Sequence, residues 1–576
     1  MPYFLKKSKI KRGTYLQIYE SYYDPAKRGT RNRSAKALGY VEDLRAKGIA
    51  DPVKWGREQA EAMNAAKAPR PQIGERSASA NAGWFLVKSM LDYLGFDDDM
   101  RRMTASKGFR FDFPGFFKAM VAAQVVSPGS KLRAWADVVP SMYGCGSYSY
   151  DQILDGIEYI GSDYEKYVEM ANWAIGKRWK RDFSSVLFDC TNYYFEVDLE
   201  DGLRRKGPSK EGRKDPIVGQ ALMLDKDQIP CAMRMFPGNE SERPKIREMV
   251  EDMKARYGLE GGRVVQIADK GLNCARNIYA AVKEAKDGYI FSKSVHGRAL
   301  SGEEKKWVLL RDGEANRWTD VEDGRGGLLY SYKSCVDDFE YACDLDGDGR
   351  DETRFKVREK RLVTYNPELA RKRRREILRE VEKARRAMSL KAAAKEDLGD
   401  AAKYLSFGAV GENGGKAEIT AELNEAKVKE DMDYAGYNML VTSECGASDR
   451  DIYEAYHQLW KIEESFRVLK TYLEARPVFL QKEESILGHF TVCYWALVVL
   501  RLLELKVFRG GLSAGQIVDF VRDFNVTDTG MGFYTNQSTA SSTHKAVKKA
   551  YGLSHLGDLH LRKKDLDNIM AAEVPD

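Results

Sequence analysis

The period of the hydrophobic pattern changes along the chain, and each change predicts a different kind of element. Residues 1–22 read as two strands joined by a short basic turn, whereas residues 80–182 repeat apolar side chains at helical spacing. From 183 to 295, apolar runs of strand length are separated by two helical stretches. The predicted strands are Pro2–Ile10, Thr14–Tyr22, Val186–Glu196, Ile217–Leu224, Pro230–Phe236, Val264–Ala268 and Tyr289–Ser292, and the predicted helices are Pro244–Tyr257 and Ala275–Lys286.

The order of elements in residues 183–298, three antiparallel strands and then strand–helix units, matches the ribonuclease H topology. A gap of 193 residues then separates Asp269 from Glu463, which is far more than one crossover needs, so we expect an inserted domain. Its second half opens with Asn366-Pro367, an N-cap followed by proline at the first helical position. Its first half is predicted to hold strands at Lys306–Leu310, Gly327–Ser334 and Arg354–Thr364.

A chain of 576 residues is too long for one ordinary core, so we predict a multidomain α/β protein. Its centre is a ribonuclease H-like catalytic core, a mixed sheet with helices, interrupted by a β-rich insertion domain. The predicted regions are an N-terminal β arm and linker (1–75), a helical DNA-binding region (76–182), the first part of the core (183–298), the insertion (299–440), the second part of the core with Glu463 (441–510), and a C-terminal region without an assigned role (511–576).

Charge and cysteine content narrow the possible classes. The net charge is only +6 although Lys and Arg number 93, so basic patches have to be local. One candidate is a predicted loop with Lys27, Arg28, Arg31, Arg33 and Lys36 beside several tyrosines. It suits an arm that follows the DNA backbone, or a small solvated β-meander. The eight cysteines are scattered singly and form no Cys-x-x-Cys pair, so neither a zinc ribbon nor a disulfide framework is indicated.

Targeting and membrane signals are weak. The first residues lack the apolar core of a signal peptide, and the apolar run from Phe490 to Leu503 is too short and interrupted to span a bilayer. We expect that run to be a buried helix, the protein to have no membrane partner, and its location to be the reducing bacterial cytoplasm, in association with the nucleoid.

Two aspartates follow or interrupt apolar strands. Asp189 lies inside the run from Val186 to Phe195, where a carboxylate is costly unless it is paired or binds a cation. Asp269 ends the strand Val264–Ala268, and acids at the carboxyl ends of strands are where open α/β sheets carry their chemistry. Each aspartate alone could equally be a turn former or a helix cap.

A third acid lies on a predicted helix near the end of the chain. Tyr456, Glu463 and Lys470 are seven residues apart, so all three project from one helical face, with Arg467 one turn beyond the acid. A carboxylate among phosphate-binding groups suits a metal site that acts on a nucleic-acid backbone. The alternative is an amphipathic helix with a solvated charged stripe.

Together these segments resemble the DDE transposases of bacterial insertion sequences. Asp189, Thr191 and Tyr194 to Glu196 match one family motif, Val265 and Ala268-Asp269-Lys-Gly271 a second, and Tyr456, Glu463 and Lys470 the Tyr-x2-Arg-x3-Glu-x6-Lys signature of the insertion-sequence-four superfamily. The extra N-terminal β region looks most like its sixteen-thirty-four branch. The signature arginine falls on Leu459, and Arg467 is the residue that could supply the missing guanidinium.

The resemblance implies an activity and a site. Asp189, Asp269 and Glu463 would hold two Mg²⁺ ions, with Mn²⁺ as a substitute. The enzyme would cleave the terminal inverted repeats of its element by hydrolysis and join the 3′-hydroxyl ends to target DNA, with a hairpin intermediate as one route. Two DNA ends imply a homodimeric synaptic complex. The implied DNA-binding residues are Tyr456, Arg467, Lys470, Lys210 and Arg213.

Two other functions remain open. One is a catalytically silent or domesticated DNA-binding relative, and the other is a ribonuclease H-like nuclease without strand transfer. A tyrosine recombinase is disfavoured because none of the six histidines is followed by arginine three residues later. A rolling-circle nuclease is disfavoured because the chain has no His-hydrophobe-His pair.

Overall fold

The computed structural model describes residues 3–24, 29–67, 79–210, 212–259, 261–296, 300–311, 313, 317–345, 352–388, 399–410 and 418–575. They belong to two compact units, Met1–Ala78 and Ser79–Asp576.

The first unit is a three-stranded antiparallel sheet followed by two helices. The sheet consists of β1 (Tyr3–Ile10), β2 (Gly13–Asp24) and β3 (Gly29–Tyr40), with β2 in the middle. Helices Val41–Ala46 and Pro52–Lys67 cover one face, because the alternating Leu16 and Ile18 of β2 must be buried. The two predicted strands are confirmed.

The basic segment predicted as a loop is wrong in its described part. Arg31, Arg33 and Lys36 lie on the third strand, β3, which pairs with β2 along its length. Lys27 and Arg28 lie outside the described residues, as does most of the predicted linker. The strand was missed because its Gly, Asn, Ser and Lys content is atypical of strands.

The second unit is built on a nine-stranded mixed sheet. Its order across the sheet is β10-β11-β12-β15-β9-β8-β5-β6-β7. These strands are β5 (Ser185–Tyr194), β6 (Ile217–Asp225), β7 (Pro230–Pro237), β8 (Val265–Ala268), β9 (Gly288–Lys293), β10 (Thr319–Glu322), β11 (Leu328–Asp344), β12 (Glu352–Tyr365) and β15 (Tyr437–Thr442), with β4 (Ser79–Asn81), β13 (Leu405–Val410) and β14 (Glu418–Leu423) outside this sheet.

Strands β5 to β9 have the order of elements predicted for residues 183–298. Strands β5, β6 and β7 form an antiparallel meander, whereas β8 pairs parallel with both β5 and β9. The predicted helices are present as Lys245–Arg256 and as Ala275–Tyr279, which continues into a π-helical turn at Ala280–Glu284. The result is a mixed α/β layer in which three parallel strands end at one edge.

The β-rich part of the predicted insertion extends this sheet. Strand β12 pairs with β15, and β15 pairs with β9, so β10 to β12 form a wing of the nine-stranded sheet. The predicted strand at Lys306–Leu310 is wrong, because a helix spans Gly302–Leu309. Ser301 and Glu304 form a capping box at its start, a signal that outweighs the apolar character of the segment.

The second half of that region forms a small cluster of its own. Asn366 accepts hydrogen bonds from the backbone N–H groups of Glu368 (2.9 Å) and Leu369 (3.0 Å), so the predicted helix start is confirmed. The helix Pro367–Met388 packs with the 3₁₀ turn Gly399–Tyr404 and with helix Glu425–Asp433, around Ile377 and Tyr404.

A helical layer surrounds one apolar helix, Glu483–Leu502. In the described part of the chain, one helical segment, Glu483–Val507, is long and apolar enough to cross a membrane, with a mean hydropathy of 1.8. However, 94% of its apolar stretch is buried inside the protein. It is longer than predicted, and its buried position is confirmed. The helices around it are Phe85–Leu94, Asp97–Thr104, Phe113–Val126, Tyr150–Ser162 and Tyr164–Arg178, with short turns at Lys131–Arg133, Ala134–Val138 and Val139–Ser141.

The C-terminal region packs on the same helical layer. A small sheet has the order β18-β17-β16-β4, so the first strand of the second unit, β4, is paired with β16 near the end of the chain. Its remaining strands are β16 (Asn525–Asp528), β17 (Phe533–Asn536) and β18 (His560–Arg562), and the accompanying helices are Ala514–Asp523, Ser542–Ala550 and Lys563–Met570.

Candidate active site

Asp189 and Asp269 lie at equivalent positions on neighbouring parallel strands. In the pairing of β5 with β8, Phe188 is opposite Ala268, and each aspartate is the next residue. Neighbouring strands are about 4.8 Å apart, so the two backbones carry these acids side by side at one edge of the sheet. The edge is formed by the carboxyl ends of β8 and β9, where a chemically active site is expected in an α/β sheet.

Burial and neighbouring charges set the protonation of Asp189. Burial raises the pKa of its carboxyl group to about 6, and the Lys210 ammonium opposes that shift. Glu242 and Asp269 add to the rise in pKa because two further negative charges disfavour ionisation. The Cys190 backbone N–H donates to Asp189 Oδ1 at 2.7 Å, and Lys210 pairs with Glu242 at 3.2 Å. Asp189 therefore takes up a proton more readily than an ordinary aspartate.

The segment that carries the third acid is divided into two helices. Ser448 Oγ accepts from the Asp451 N–H at 3.1 Å and starts helix Asp449–His457. Gln458 and Leu459 form a turn, and the chain continues as helix Trp460–Arg467 and a π-helical turn. The first helix packs on β8 and β9, and the second on β5 and β6. The segment thus crosses the sheet beside both aspartates.

Tyr456 connects this segment to Asp269. Its hydroxyl donates to Asp269 Oδ1 at 3.0 Å. Burial raises the pKa of the Tyr456 phenol, and the negative charges of Asp269 and Glu463 raise it further. The phenol thus feels the charge of both acids, and its one direct bond among them is to Asp269.

The neighbouring acids Glu463 and Glu464 have different surroundings. Glu463 is exposed, whereas the Glu464 side chain is only 12% exposed. Glu464 forms ion pairs with Lys461 at 3.4 Å and with the fully buried Arg501 at 3.5 Å. Glu464 is therefore part of an internal ionic network, and Glu463 is the acid directed toward solvent.

Leu459 occupies the position of the family's signature arginine. It is buried in the main hydrophobic core, so the residue at this position packs the turn between the two helices. Arg467 is exposed and lies 3.5 Å from Glu464, one turn beyond Glu463. The structure thus gives Leu459 a packing role and leaves Arg467 at the surface of the same segment.

The predicted DNA-binding residues lie around the end of β5. The Lys470 ammonium is 5.4 Å from the centre of the Tyr193 ring, and Arg213 lies 3.8 Å from the centre of the Tyr194 ring. Arg476 approaches the Tyr194 ring as well, at 4.6 Å. Lys210 donates to the Cys190 backbone carbonyl, directly beside Asp189. A basic rim therefore follows the strand that carries Asp189.

The donor set suits a hard cation, but its members are spread out. Carboxylate oxygens are the ligands that Mg²⁺ and Mn²⁺ prefer. In the described part of the chain, no three side chains of His, Cys, Asp or Glu lie close enough together to hold a metal ion. Asp189 and Asp269 share an edge, and the Tyr456 hydroxyl is bonded to Asp269.

Two features of the site were missed in the sequence. The first is Glu242, which follows β7 and interacts with Lys210 and Asp189. The signal was an acid in a Gly-Asn turn after a buried strand, which is indistinguishable from an ordinary turn residue.

The second missed feature is a group of three side-chain hydrogen-bond donors that contact backbone carbonyls at the C-terminal end of the Glu463 segment. Gln124 donates to the Leu473 carbonyl at 2.7 Å, and Arg522 donates to the Tyr472 carbonyl at 2.5 Å. The neutral His489 ring, whose pKa burial lowers to about 3, donates from Nε2 to the Ala475 carbonyl at 3.0 Å. These three donors satisfy carbonyls that a helix end leaves unpaired. They come from distant parts of the chain, so local patterns could not reveal them.

Comparisons with known proteins add a distant structural likeness. A scan against protein-family models and a search of curated proteins find no match. Among solved structures, the chain is similar to the cryo-EM structure of the piggyBac transposase synaptic complex with hairpin DNA, with a TM-score of 0.35 and 10% identity over 86% of this chain and 84% of that chain. The family and activity of this protein are therefore inferred from its own residues.

Proposed function

We propose that the protein is a DNA transposase of the DDE type, related to the insertion-sequence-four superfamily, that cleaves the ends of its element and joins them to target DNA. The observation that carries the proposal is the parallel register of β5 and β8, which puts Asp189 and Asp269 side by side. The helical segment with Glu463 crosses the same edge and is bound to Asp269 through Tyr456.

The strand order supports a ribonuclease H-like core as part of this proposal. Three antiparallel strands, β7-β6-β5, continue into the parallel strands β8 and β9. A later helical segment then returns to the face that carries the acids. Strand cleavage would require acids from these three distant stretches of sequence to meet at this edge.

Asp189, Asp269 and Glu463 are the residues that would hold Mg²⁺ or Mn²⁺. A pair of such ions supplies an activated attacking oxygen and stabilises the leaving oxygen in an in-line displacement. The exposed Glu463 side chain would turn toward Asp269 for this purpose, and Tyr456 would hold Asp269 in place. A metal ion binds the ionised carboxylate, and the raised pKa of Asp189 keeps that group protonated below about pH 6. Metal binding would therefore strengthen as the pH rises above about 6.

The basic rim would hold the DNA backbone. Lys210, Arg213 and Lys470 surround the end of β5, and Arg467 extends the rim along the Glu463 segment. Arginine and lysine side chains neutralise phosphates and fix the register of the duplex without reading its sequence. A homodimer that pairs two ends, and a cytoplasmic location at the nucleoid, belong to the same proposal.

A DNA-binding relative without catalytic activity is the second candidate. Two observations favour it. Leu459 is a core residue where the family signature has arginine, and no three acids are gathered closely enough for a metal in the described residues. Such a protein would keep the basic rim and bind DNA ends without cutting them.

Cleavage of a duplex that carries the inverted repeats flanking this reading frame separates the two candidates. We expect Mg²⁺-dependent nicking and a joined product with the unaltered chain, and neither with Asp269→Asn. Binding of that duplex should be the same for both proteins in EDTA. Binding without nicking in Mg²⁺ or Mn²⁺ would leave the silent relative, and nicking without joined product would leave a nuclease.

A further inference from the structure

One helix of the second unit, Pro367–Met388, has a strongly unbalanced charge. Its 22 residues include nine Lys and Arg and four Glu. Acids and bases that are interleaved on one helix neutralise each other through pairs three or four residues apart. The positions of the four glutamates therefore decide how much of the positive charge is left for a partner.

Two of the four glutamates are directed toward the protein. Glu376 and Glu380 are half-buried, and both pair with the half-buried Arg373, at 3.0 and 3.2 Å. Lys403 of the neighbouring 3₁₀ turn pairs with Glu380 as well, at 3.1 Å. These two acids thus neutralise cations on the inner flank of the helix and leave the opposite side without their charge.

The opposite side of the helix, which we call the outer face, is basic and exposed. Successive residues turn by about 100° around a helix. The exposed positions opposite the buried Ile377 hold six cations, Arg371, Lys372, Arg375, Arg379, Lys383 and Arg386. Two exposed acids, Glu368 and Glu382, complete this face. Glu382 pairs with Arg386 at 3.2 Å, whereas Lys372 and Arg379 form no ion pair with any residue that the structure describes.

Like charges are neighbours along the outer face. Arg371, Arg375, Arg379 and Lys383 follow one another at intervals of four residues, which is close to one helical turn. Like charges at this spacing destabilise a helix. The row continues to Arg386, over about 22 Å at 1.5 Å per residue. A long row of cations that costs stability when it stands alone is the pattern of a surface that binds a polyanion.

The strand register places the start of this helix at the edge of the sheet that carries the acids. Strand β12 runs parallel to β8 and β9, because β15 lies between β12 and β9 and is antiparallel to both. Arg361 of β12 is level with Ala268 of β8, so Tyr365 projects about 13 Å beyond it on the side of Asp269. Three strand spacings separate β12 from β8 by roughly 14 Å. The helix, which begins at Pro367, therefore starts on the order of 20 Å from Asp269.

We propose that the outer face of helix Pro367–Met388 binds the phosphate backbone of the DNA duplex on which the acids act. The inference rests on the function proposed above and adds a second contact to the same DNA. A separation of about 20 Å corresponds to roughly six base pairs at 3.4 Å each, so one duplex reaches both places. Contacts of Arg and Lys with phosphates fix the position of a duplex and do not read its sequence.

The composition of the outer face favours duplex DNA and its backbone. The face consists of Arg, Lys and Glu alone, without the Asn or Gln side chains that read adenine. It carries no aromatic ring, whereas single-strand binding uses rings on which bases stack. The row of cations spans about six base-pair steps, which is long enough for several phosphates of one strand.

Binding is measured in EDTA with the full-length chain and a fluorescent 30-bp duplex of random sequence. We expect Lys372→Gln/Arg375→Gln/Arg379→Gln to bind on the order of tenfold more weakly than the unaltered protein. The slope of log affinity against log salt should become shallower by about 2–3, because each phosphate contact contributes about 0.9. The charge-preserving variant Lys372→Arg/Arg375→Lys/Arg379→Lys should bind as the unaltered protein does. Glutamine is a good helix former, so the melting temperature should stay unchanged in each variant.

The matched control removes three exposed charges from the same part of the protein but outside the outer face. Arg374→Gln/Arg385→Gln/Lys429→Gln should leave the affinity within about twofold. Equal weakening by this control, or unchanged affinity of the outer-face variant, would overturn the assignment. So would an equal loss of affinity for a 30-nucleotide single strand, or a loss confined to phosphatidylserine vesicles.

Nicking of the repeat-bearing duplex in Mg²⁺ separates this inference from the proposed function. We expect the outer-face variant to need on the order of tenfold more duplex for half-maximal nicking while kcat stays within about twofold, because the acids are untouched. If the unaltered chain does not nick but the outer-face variant still binds more weakly, the metal site is refuted and the DNA contact is supported. If the unaltered chain nicks and the variant matches it in both binding and nicking, only the helix assignment is refuted.

Discussion

Two carboxylates of the nine-stranded sheet, the fully buried Glu359 and the half-buried Asp189, both have raised pKa values but different partners. Glu359 on β12 is fully buried, and it accepts hydrogen bonds from Tyr341 at 2.7 Å and from Arg361 at 2.8 Å, as well as from Tyr289. Asp189 on β5 is surrounded by the acids Glu242 and Asp269 as well as by Lys210.

The comparison shows that burial alone does not mark a functional acid. Burial raises the pKa of both groups. The neighbours of Glu359 are hydrogen-bond donors, so its carboxylate is satisfied without a further partner. At Asp189 two of the neighbours are further acids, an arrangement that costs stability unless a cation joins it.

The largest expected effect is the loss of cleavage in Asp189→Asn. The change keeps the shape of the side chain and removes a charged metal ligand, so we expect nicking of the repeat-bearing duplex to fall on the order of a thousandfold or more. The matched variant Glu359→Gln should nick the same duplex at the rate of the unaltered protein, when the rate is expressed per folded molecule. An Asp189→Asn enzyme with full Mg²⁺-dependent activity would remove Asp189 from the site.

Stability should change in the opposite sense in the same two variants. Glu359→Gln leaves the buried Arg361 short of a partner, for an expected loss of about 2–4 kcal/mol in the free energy of unfolding. Asp189→Asn relieves repulsion and should leave that free energy unchanged or higher at pH 8. Urea denaturation of both variants without added metal measures the two effects, and a strongly destabilised Asp189→Asn would contradict this view of the site.

The neighbouring acids Glu463 and Glu464 provide a second matched pair. Glu463→Gln should abolish cleavage without a change in melting temperature. Glu464→Gln weakens the ionic network of Arg501 and should cost about 1–3 kcal/mol of stability while cleavage persists. If Glu464→Gln abolishes cleavage and Glu463→Gln does not, the third acid has been assigned to the wrong residue.

The pH dependence of stability gives a smaller effect. Asp189 binds its proton more tightly when folded, because its pKa is about 6 in place of the ordinary 3.8. Its stabilising contribution is therefore full below about pH 4 and is lost as the pH rises through 6. Relative to Asp189→Asn, the unaltered chain should lose on the order of 1–3 kcal/mol between pH 4 and 7.5 in metal-free buffer. Parallel pH profiles for the two proteins would show that Asp189 has an ordinary pKa.

The smallest expected effect belongs to Tyr456→Phe. Loss of the hydrogen bond to Asp269 should cost about 0.5–1.5 kcal/mol of stability and reduce cleavage on the order of tenfold, since Asp269 keeps its position on the sheet. A kinetic comparison at saturating Mg²⁺ tests this, and a complete loss of activity would mean that the phenol itself takes part in the reaction.

The parts of the fold that follow from local pattern were predictable from the sequence. Strands β5 to β9 are mostly apolar, and Ser448 and Asn366 are recognisable helix caps. The carboxylates at strand ends could be placed at one edge because parallel strands align their ends.

The remainder depends on contacts between distant residues. Strand β15 pairs with both β12 and β9, which are distant from each other in the sequence. The composition of the strands does not reveal which strands pair. The Leu459 side chain packs into the core at the turn between the two helices. The regular seven-residue spacing of Tyr456, Glu463 and Lys470 predicts a single helix without this turn. Glu242 and the three donors under the Glu463 segment likewise become visible only once the chain is folded.

Crystals of the full chain grown with Mn²⁺ give the most direct test, through the anomalous signal of the metal. We expect manganese about 2.0–2.3 Å from carboxyl oxygens of Asp189 and Asp269, with Glu463 turned in as a further ligand. Manganese bound elsewhere, or Glu463 directed away from a metal held by other residues, would contradict the assignment of these three acids to one site.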